Sequence, residues 1–426
     1  MTAAPLPRHE VDLMVLGTGL AGMAATAFAL KRGLSVAVAG TPGESLFASG
    51  LLDLLAVHPT AQGRVWDDPF EAVAALAAAE PDHPYAKVSR PRIEAAFAAF
   101  VEFLGGIGLD YHGHDGVNAM VLTPVGTVKR TYRVPAGMWA ADHGLRRTPA
   151  ALLVDFEGLK GYSAAQAAQT ARAVWPGLRH VRLPFPGGLA IPYPEPMALA
   201  MQSPAVRQAL AVSLAPRLRG VEMVGFPAIL GISRTREVLA DMRGLLGLPV
   251  FELPTMPPAV TGLRLKAAFE ECLPQLGAMT FFGKLALTAR ADGKGFVFTV
   301  GGAEPETRIS ARGAVLATGR FFGRGLVPRR KGIREALFDL PVVQPASRSA
   351  WHGQSMFDPA GHGVNRAGLA TDTRFRPFGA NGKPAFETLY AVGSILAGHD
   401  WTRQKCGAGL ALVTAHAAVE DFAASI

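Results

Sequence analysis

Gly17, Gly19 and Gly22 follow the apolar run Val11–Leu16 and open the alanine-rich stretch Met23–Arg32, which ends at Gly33 before a second apolar run, Leu34–Ala39. Residues of these types at this spacing bind a pyrophosphate. Gly17 permits a tight turn, Gly19 lets the backbone approach the phosphates, and Gly22 lets a helix pack closely on a strand. The free amides of the first helical turn, Leu20, Ala21 and Gly22, then meet phosphate oxygens. The pattern predicts strand, glycine turn, helix and second strand, one βαβ unit. The acidic residue that would hold a ribose ~20 positions further on is missing. Ala39 and Gly40 stand there, and Glu44 is the nearest candidate.

Two further signals lie far along the chain. Ala314–Ala317 is an apolar run ending in Thr318-Gly319. Thr388–Ser394 contains Tyr390-Ala391-Val392-Gly393-Ser394, followed by Gly398-His399-Asp400 and by the helix start Cys406-Gly407-Ala408-Gly409. In flavoproteins of the two-dinucleotide-fold class the chain returns to its cofactor at an Ala-Thr-Gly strand end. A Tyr-Ala-apolar-Gly strand there leads to a helix whose N-terminal amides face the pyrimidine end of the flavin, where the helix dipole stabilises the reduced anion. The three signals in this order predict a bound flavin in an α/β, Rossmann-like FAD/NAD(P)-binding fold.

A flavin that oxidises a secondary alcohol needs a base for the hydroxyl proton. His352, His362 and His399 are the eligible bases in the C-terminal part, and His399 ranks first because it lies between two flavin signals. Arg264, Arg374 and Arg403 are the candidates for holding a phosphate bidentately. Lys129, Arg130 and Arg133 form a second basic set, read as a solvated face. Arg320, Arg324, Arg329, Arg330, Lys331 and Arg334 place six cations ahead of the first acid, Glu335. A solvated loop is the default reading of such a run, and docking of an acidic partner protein is the functional one. No His/Cys/Asp/Glu set has metal-ligand spacing, and no aromatic platform accompanies the cations to suggest nucleic acid.

At 426 residues the chain has room for two or three domains of about 150 residues each. It is 49% hydrophobic and 18% charged, too apolar for disorder. The net charge of +8 admits an anionic partner without choosing one. Cys272 and Cys406 exclude a disulfide framework or an iron–sulfur cluster and fit a reducing compartment. With a polar, Pro-broken start and no apolar run of about 18 residues, the expected location is cytoplasmic. Helices are expected at Pro69–Glu80 and Arg92–Phe103, and a loop leading into a short helix over 41–57. The middle carries two strand-to-helix passages, Ala151–Phe156 into Tyr162–Val174 and Glu222–Phe226 into Arg234–Leu246. A strand pair turned by Asp292-Gly293 and a helix from about Gly407 to Phe422 close the chain. Flavin signals at both ends and none between predict a discontinuous flavin-binding domain of 1–60 and 260–426, with 61–259 inserted as an α/β cap for substrate or partner.

Ala48–Leu55, His83-Pro84-Tyr85, Leu122–Thr127, Leu253–Leu265, Ala317–Glu335 and the tail Tyr390–His416 resemble the B-subunit family of anaerobic glycerol-3-phosphate dehydrogenase. The resemblance runs essentially end to end. It implies a flavoprotein component of a glycerol-3-phosphate:quinone oxidoreductase, which turns glycerol 3-phosphate into dihydroxyacetone phosphate. It also implies two partners in the same complex: a catalytic flavoprotein, the A-subunit, and an iron–sulfur membrane anchor, the C-subunit. Through them the chain would associate peripherally with the inner membrane. Arg264 ranks first among the phosphate ligands because it stands in one of the matching blocks, and Ser49 and Gly50 of the first block join the cofactor-binding set. Family descriptions often assign FMN. The glycine fingerprint argues for the pyrophosphate of FAD, while the missing ribose acid keeps FMN as the alternative. Two other functions stand beside this one: a non-catalytic electron-transfer or scaffold component, and a free-standing FAD oxidoreductase for another small hydroxy or amino acid.

Overall fold

The computed structural model describes residues 6–41, 43–189, 191–293 and 295–426; the side chains of Glu44 and Ser45 also lie outside the description. The chain forms two compact units, one of Met1–Glu44, Asp53–Phe103 and Phe269–Ile426, the other of Ser45–Leu52 and Leu104–Ala268.

In the first unit the strand Arg8–Leu16 lies at the middle of a parallel set. On one side it pairs with Val36–Gly40, which in turn pairs with Met279–Phe282; on the other it pairs with Pro305–Leu316. The register sets Leu13 beside both Val36 and Gly313. The end of Pro305–Leu316 also carries the short parallel strand Leu389–Ala391. Its other edge continues into an antiparallel pair, Gly295–Gly301 and Leu285–Asp292. The first βαβ unit and the strand before Thr318-Gly319 are therefore in one sheet.

Strands buried on both faces read as continuous apolar runs, as Leu13–Leu16 and Val36–Ala39 do. The helices Leu20–Lys31 and Gly407–Ser425 pack on each other. Both are apolar around nearly their whole circumference, as buried helices must be. Gly33, at φ +73°, ends the first helix where a residue with a Cβ would be strained.

Residues 53–103 fall within the first unit, beyond the expected division at 60. The Tyr85 hydroxyl donates to the Leu54 carbonyl at 2.7 Å, Lys87 to the Thr371 carbonyl at 2.7 Å, and Arg366 pairs with Glu80 at 2.7 Å. The last two bonds link stretches hundreds of positions apart. Where a loop leading into a short helix is expected over 41–57, the helical part is a 3-10 turn, Gly43–Phe47, and it comes first, with non-helical chain over 48–57.

The second unit has its own four-stranded parallel sheet in the order Val250–Leu253, Met223–Pro227, Ala151–Phe156, Leu178–Leu183. The helices Ala164–Ala171 and Thr235–Leu246 follow their strands as the sequence suggests. Trp175 is fully buried, stacked on Phe251 at 5.6 Å between ring centres. A Cβ on Gly144 would stand 2.0 Å from that indole, so only glycine fits there. Among the described residues no helix is long and apolar enough to cross a membrane.

Candidate functional site

The glycine turn is built by close approach. Gly17 has φ +117°, and a Cβ there would lie 2.2 Å from the Ala317 carbonyl oxygen. A Cβ on Gly22 would lie 1.8 Å from the Gly17 carbonyl oxygen, and one on Gly40 would lie 2.6 Å from the Thr18 amide nitrogen. Gly19 differs: a Cβ there meets nothing within 4 Å. Three of these glycines seat the backbone, and Gly19 faces open space at the start of a 12-residue helix with no side-chain cap and no acid in its first turn. A helix N-terminus of this kind presents free amides to an anion. Gly40 also accounts for the missing ribose acid, because the strand end packs too tightly on the turn for any side chain.

The other signals converge on this turn. Ala317 donates its amide to the Leu16 carbonyl at 2.9 Å, and Val392 donates to the Leu316 carbonyl at 3.0 Å. Gly319, at φ +66°, would bring a Cβ within 3.4 Å of the Ser394 hydroxyl oxygen. Gly393, at φ +71°, would bring one within 2.7 Å of the Ala21 Cβ, and its amide donates to the Thr414 hydroxyl at 2.9 Å. The helix Gly407–Ser425 starts without a side-chain cap at Cys406. Gly409 donates to the Asp53 carbonyl at 2.6 Å, and a Cβ on it would collide with the Tyr85 hydroxyl at 2.2 Å. Gly407 and Ala408 begin that helix, half-buried, with the Trp401 indole 3.1 Å from where a Cβ on Gly407 would stand.

Two buried hydroxyls bracket the cradle, Thr18 Oγ1 beside Gly17 and Thr318 Oγ1 beside Gly319, and neither has a hydrogen-bond partner among the described residues. Buried hydroxyls left unpaired are costly, so a polar ligand suits both. Ser49 and Gly50 belong to the second unit, where the Gly50 carbonyl accepts from the Tyr111 hydroxyl at 2.7 Å and Gly50 has φ +75°.

The candidate catalytic residues are all engaged. His399 is fully buried. Its Nε2 lies 3.1 Å from Arg320 Nη2, and the same guanidinium group donates to the carbonyls of His399 at 2.9 Å, Leu396 at 3.1 Å, and Asn365. Burial first, and the Arg320 charge second, hold the imidazole well below its ordinary pKa. With Nε2 accepting from an arginine, the ring proton is assigned to Nδ1, which has no partner among the described residues. Arg374 pairs with Asp421 at 2.5 Å on the surface of the first unit, and Arg403 pairs with Asp400 at 3.1 Å. Arg264, in the second unit, is locked to Glu252 by two bonds of 2.7 and 2.8 Å and to the Gly231 carbonyl at 2.9 Å. His352 and His362 sit on an exposed loop. Among the described residues no group of three His, Cys, Asp or Glu side chains could hold a metal.

Around His399 the structure assembles a histidine cluster that sequence reasoning missed. The His83 ring lies 6.2 Å from that of His399, its Nε2 is 3.4 Å from the Gln404 Oε1, and burial brings its pKa down to about 3. His58 is also buried, with its pKa lowered by burial. The motif His83-Pro84-Tyr85 is the one local signal for it. The basic run also divides: Arg320 is buried, and Arg334 pairs with Asp339.

The FAD binding domain family matches residues 12–181 and 194–410. The B-subunit of the probable anaerobic glycerol-3-phosphate dehydrogenase of Halobacterium salinarum is 33% identical over 96% of this chain and 97% of its own. The corresponding B-subunit of Yersinia pseudotuberculosis is 29% identical over 95% of this chain and 96% of its own. Among solved structures, the 3-ketosteroid delta1-dehydrogenase of Sterolibacterium denitrificans covers 98% of this chain and 100% of its own at 14% identity and a TM-score of 0.45.

Proposed function

The chain belongs to the FAD binding domain family and to the B-subunit family of anaerobic glycerol-3-phosphate dehydrogenase. On that premise we propose that it is the FAD-holding component of a complex that oxidises glycerol 3-phosphate to dihydroxyacetone phosphate and passes the electrons towards a quinone. The observation that carries this reading is the end-to-end 33% identity joined to a cradle whose open glycine, Gly19, stands at an uncapped helix start.

The amides of Leu20, Ala21 and Gly22 would receive the pyrophosphate, with Gly19 leaving it room. Thr18 and Thr318 would donate or accept at its flanks, and Gly393-Ser394 and the amides of Gly407 and Ala408 would meet the ring system. When bound, FAD supplies a two-electron acceptor for the hydride of a secondary alcohol and a donor to the next carrier. The helix end at Gly407 stabilises negative charge beside it. A catalytic flavoprotein and an iron–sulfur membrane anchor are the proposed partners, and peripheral attachment to a membrane would follow from the latter.

A second reading has an observation in its favour. His399, proposed as base, and Arg264 and Arg374, proposed as phosphate ligands, each already hold a partner side chain. That supports a component that carries electrons or scaffolds the complex while the partner flavoprotein performs the oxidation.

The test is to purify the chain alone and co-expressed with the partner flavoprotein, then follow glycerol 3-phosphate-dependent dye reduction without oxygen. The proposal expects FAD in this chain and a dye reduction rate that falls when the chain is omitted. Reduction of the isolated chain's own flavin by glycerol 3-phosphate would assign the chemistry here, and reduction only with the partner flavoprotein would favour the second reading. A complex whose rate is indifferent to this chain would overturn both.

A further inference from the structure

A hairpin that begins at Leu326, just after Gly325 packs on Thr318-Gly319, and a neighbouring loop of the first unit carry charge and apolar surface that the proposed chemistry does not use. The antiparallel strands Leu326–Arg329 and Gly332–Glu335 turn through Arg330 and Lys331. Arg329, Arg330 and Lys331 are exposed, and no carboxylate lies within ion-pair distance of them among the described residues. Arg348 donates to the Arg329 carbonyl at 3.4 Å and stacks over Trp351 at 4.9 Å, which adds a fourth cation to the same surface.

From Trp351 the chain runs out into a loop and returns at Val364, whose amide donates to the Trp351 carbonyl at 3.1 Å. Inside the loop, His362 Nδ1 accepts from the Gly353 amide at 3.0 Å, and its Nε2 donates to the Met356 carbonyl at 3.1 Å. These bonds hold out Met356, 76% exposed, and Phe357, 84% exposed. Two large apolar side chains so fully in water protrude from the surface. Of the nearby acids, Asp339 pairs with Arg334, and Asp358, which accepts from the Ala360 amide at 2.9 Å, is one negative charge against the four cations.

We propose that this face seats the chain directly on an anionic lipid bilayer, with Met356 and Phe357 entering the headgroup region and Arg329, Arg330, Lys331 and Arg348 meeting lipid phosphates. Peripheral binding commonly joins a small apolar insertion to a cluster of cations, because neither alone anchors well. A protruding apolar tip fits a yielding lipid surface, whereas a protein partner would have to offer a matching recess. The proposal does not depend on which component oxidises the substrate, since it concerns only where this chain rests.

Its test uses the full-length, FAD-loaded chain with vesicles of phosphatidylglycerol and phosphatidylcholine, compared with phosphatidylcholine alone. Co-sedimentation is expected with the anionic vesicles only and is expected to fall as salt rises. Replacing Arg329, Arg330 and Lys331 by Ser should weaken partitioning about a hundredfold, taking about fivefold for each cation near an anionic surface. Phe357→Ser should weaken it at every salt concentration. Retained flavin absorbance shows that each variant is folded. Equal or absent binding to the two vesicle types, or binding unchanged in both variants, would overturn the proposal. So would a triple variant that loses assembly with the partner flavoprotein while the wild type ignores vesicles, which would assign the face to an acidic protein.

Discussion

Arg320 Nη2 and His399 Nε2 lie 3.1 Å apart in the interior of the first unit, with the arginine donating and the imidazole accepting. A histidine held this way cannot take a proton at Nε2 without facing a guanidinium charge. It is a structural acceptor in this geometry, and that relation links the chain after the Thr318-Gly319 strand end to the segment between Gly393 and the C-terminal helix. Neutral burial has a consequence for stability. His399 and His83 have folded pKa values below the ordinary 6.5, His83 near 3, while the unfolded chain titrates at about 6.5. Below pH 6.5 the unfolded state therefore binds more protons than the folded one, and stability is lost as the pH is lowered.

Urea unfolding between pH 7.5 and 5 should show this fall, each of the two histidines contributing up to about 1.4 kcal/mol per pH unit below 6.5. His83→Gln and His399→Gln should each flatten the slope by about one proton. A wild-type slope retained in both variants would contradict the assignment.

Gly19 and Gly22 should separate binding from folding. Gly19 has an extended backbone, and its Cβ would enter open space, so Gly19→Trp should fold and lose its flavin because the indole takes the place of the pyrophosphate. Gly22→Ala places a Cβ against the backbone of Gly17, and overpacking of this kind costs about 1–3 kcal/mol or more. Flavin absorbance and thermal unfolding of both variants check the pair, and a folded Gly19→Trp protein with full flavin content would count against the cradle.

Arg264 and Glu252 form a buried pair, so Arg264→Ala should cost about 3–5 kcal/mol by leaving the buried Glu252 with the Leu230 amide but without its cation. The double variant Arg264→Met with Glu252→Gln should recover much of that loss. Denaturant midpoints measure it. If the single and double variants are equally unstable, the pair is not what matters at this position.

Cys406 is buried, with its thiol pushed well above the ordinary range by burial, and Cys272 is partly exposed, with its thiol raised less. A thiol reagent at pH 8 should therefore label one cysteine of the folded protein and the second only on unfolding. Rapid labelling of both would contradict the packing around the start of the C-terminal helix.

What the sequence disclosed was the chemistry of close approach. Gly17, Gly19, Gly22, Gly319 and Gly393 announce themselves because glycine is what the chain uses where backbones nearly touch or a ligand needs room, and the strand and helix that flank each have clear periodicity. The engagement of polar groups was not legible. His399 lies between two flavin signals, which suggests a base, yet its partner Arg320 is 79 positions away within what reads as a solvated basic run. Leu51, Leu52, Leu54 and Leu55 suggest a short helix, but all four are buried without one, because their contacts are long-range. The strand before Thr318 begins at Pro305, since its first half alternates and pairs antiparallel with Gly295–Gly301.

The central claim is that this chain holds FAD in the cradle between Gly19 and Gly407. It is tested most directly by releasing the flavin from the purified chain and identifying it by mass. The account predicts FAD at one per chain, lost in Gly19→Trp with the fold intact. FMN in its place, or no flavin in a folded wild-type protein, would contradict it.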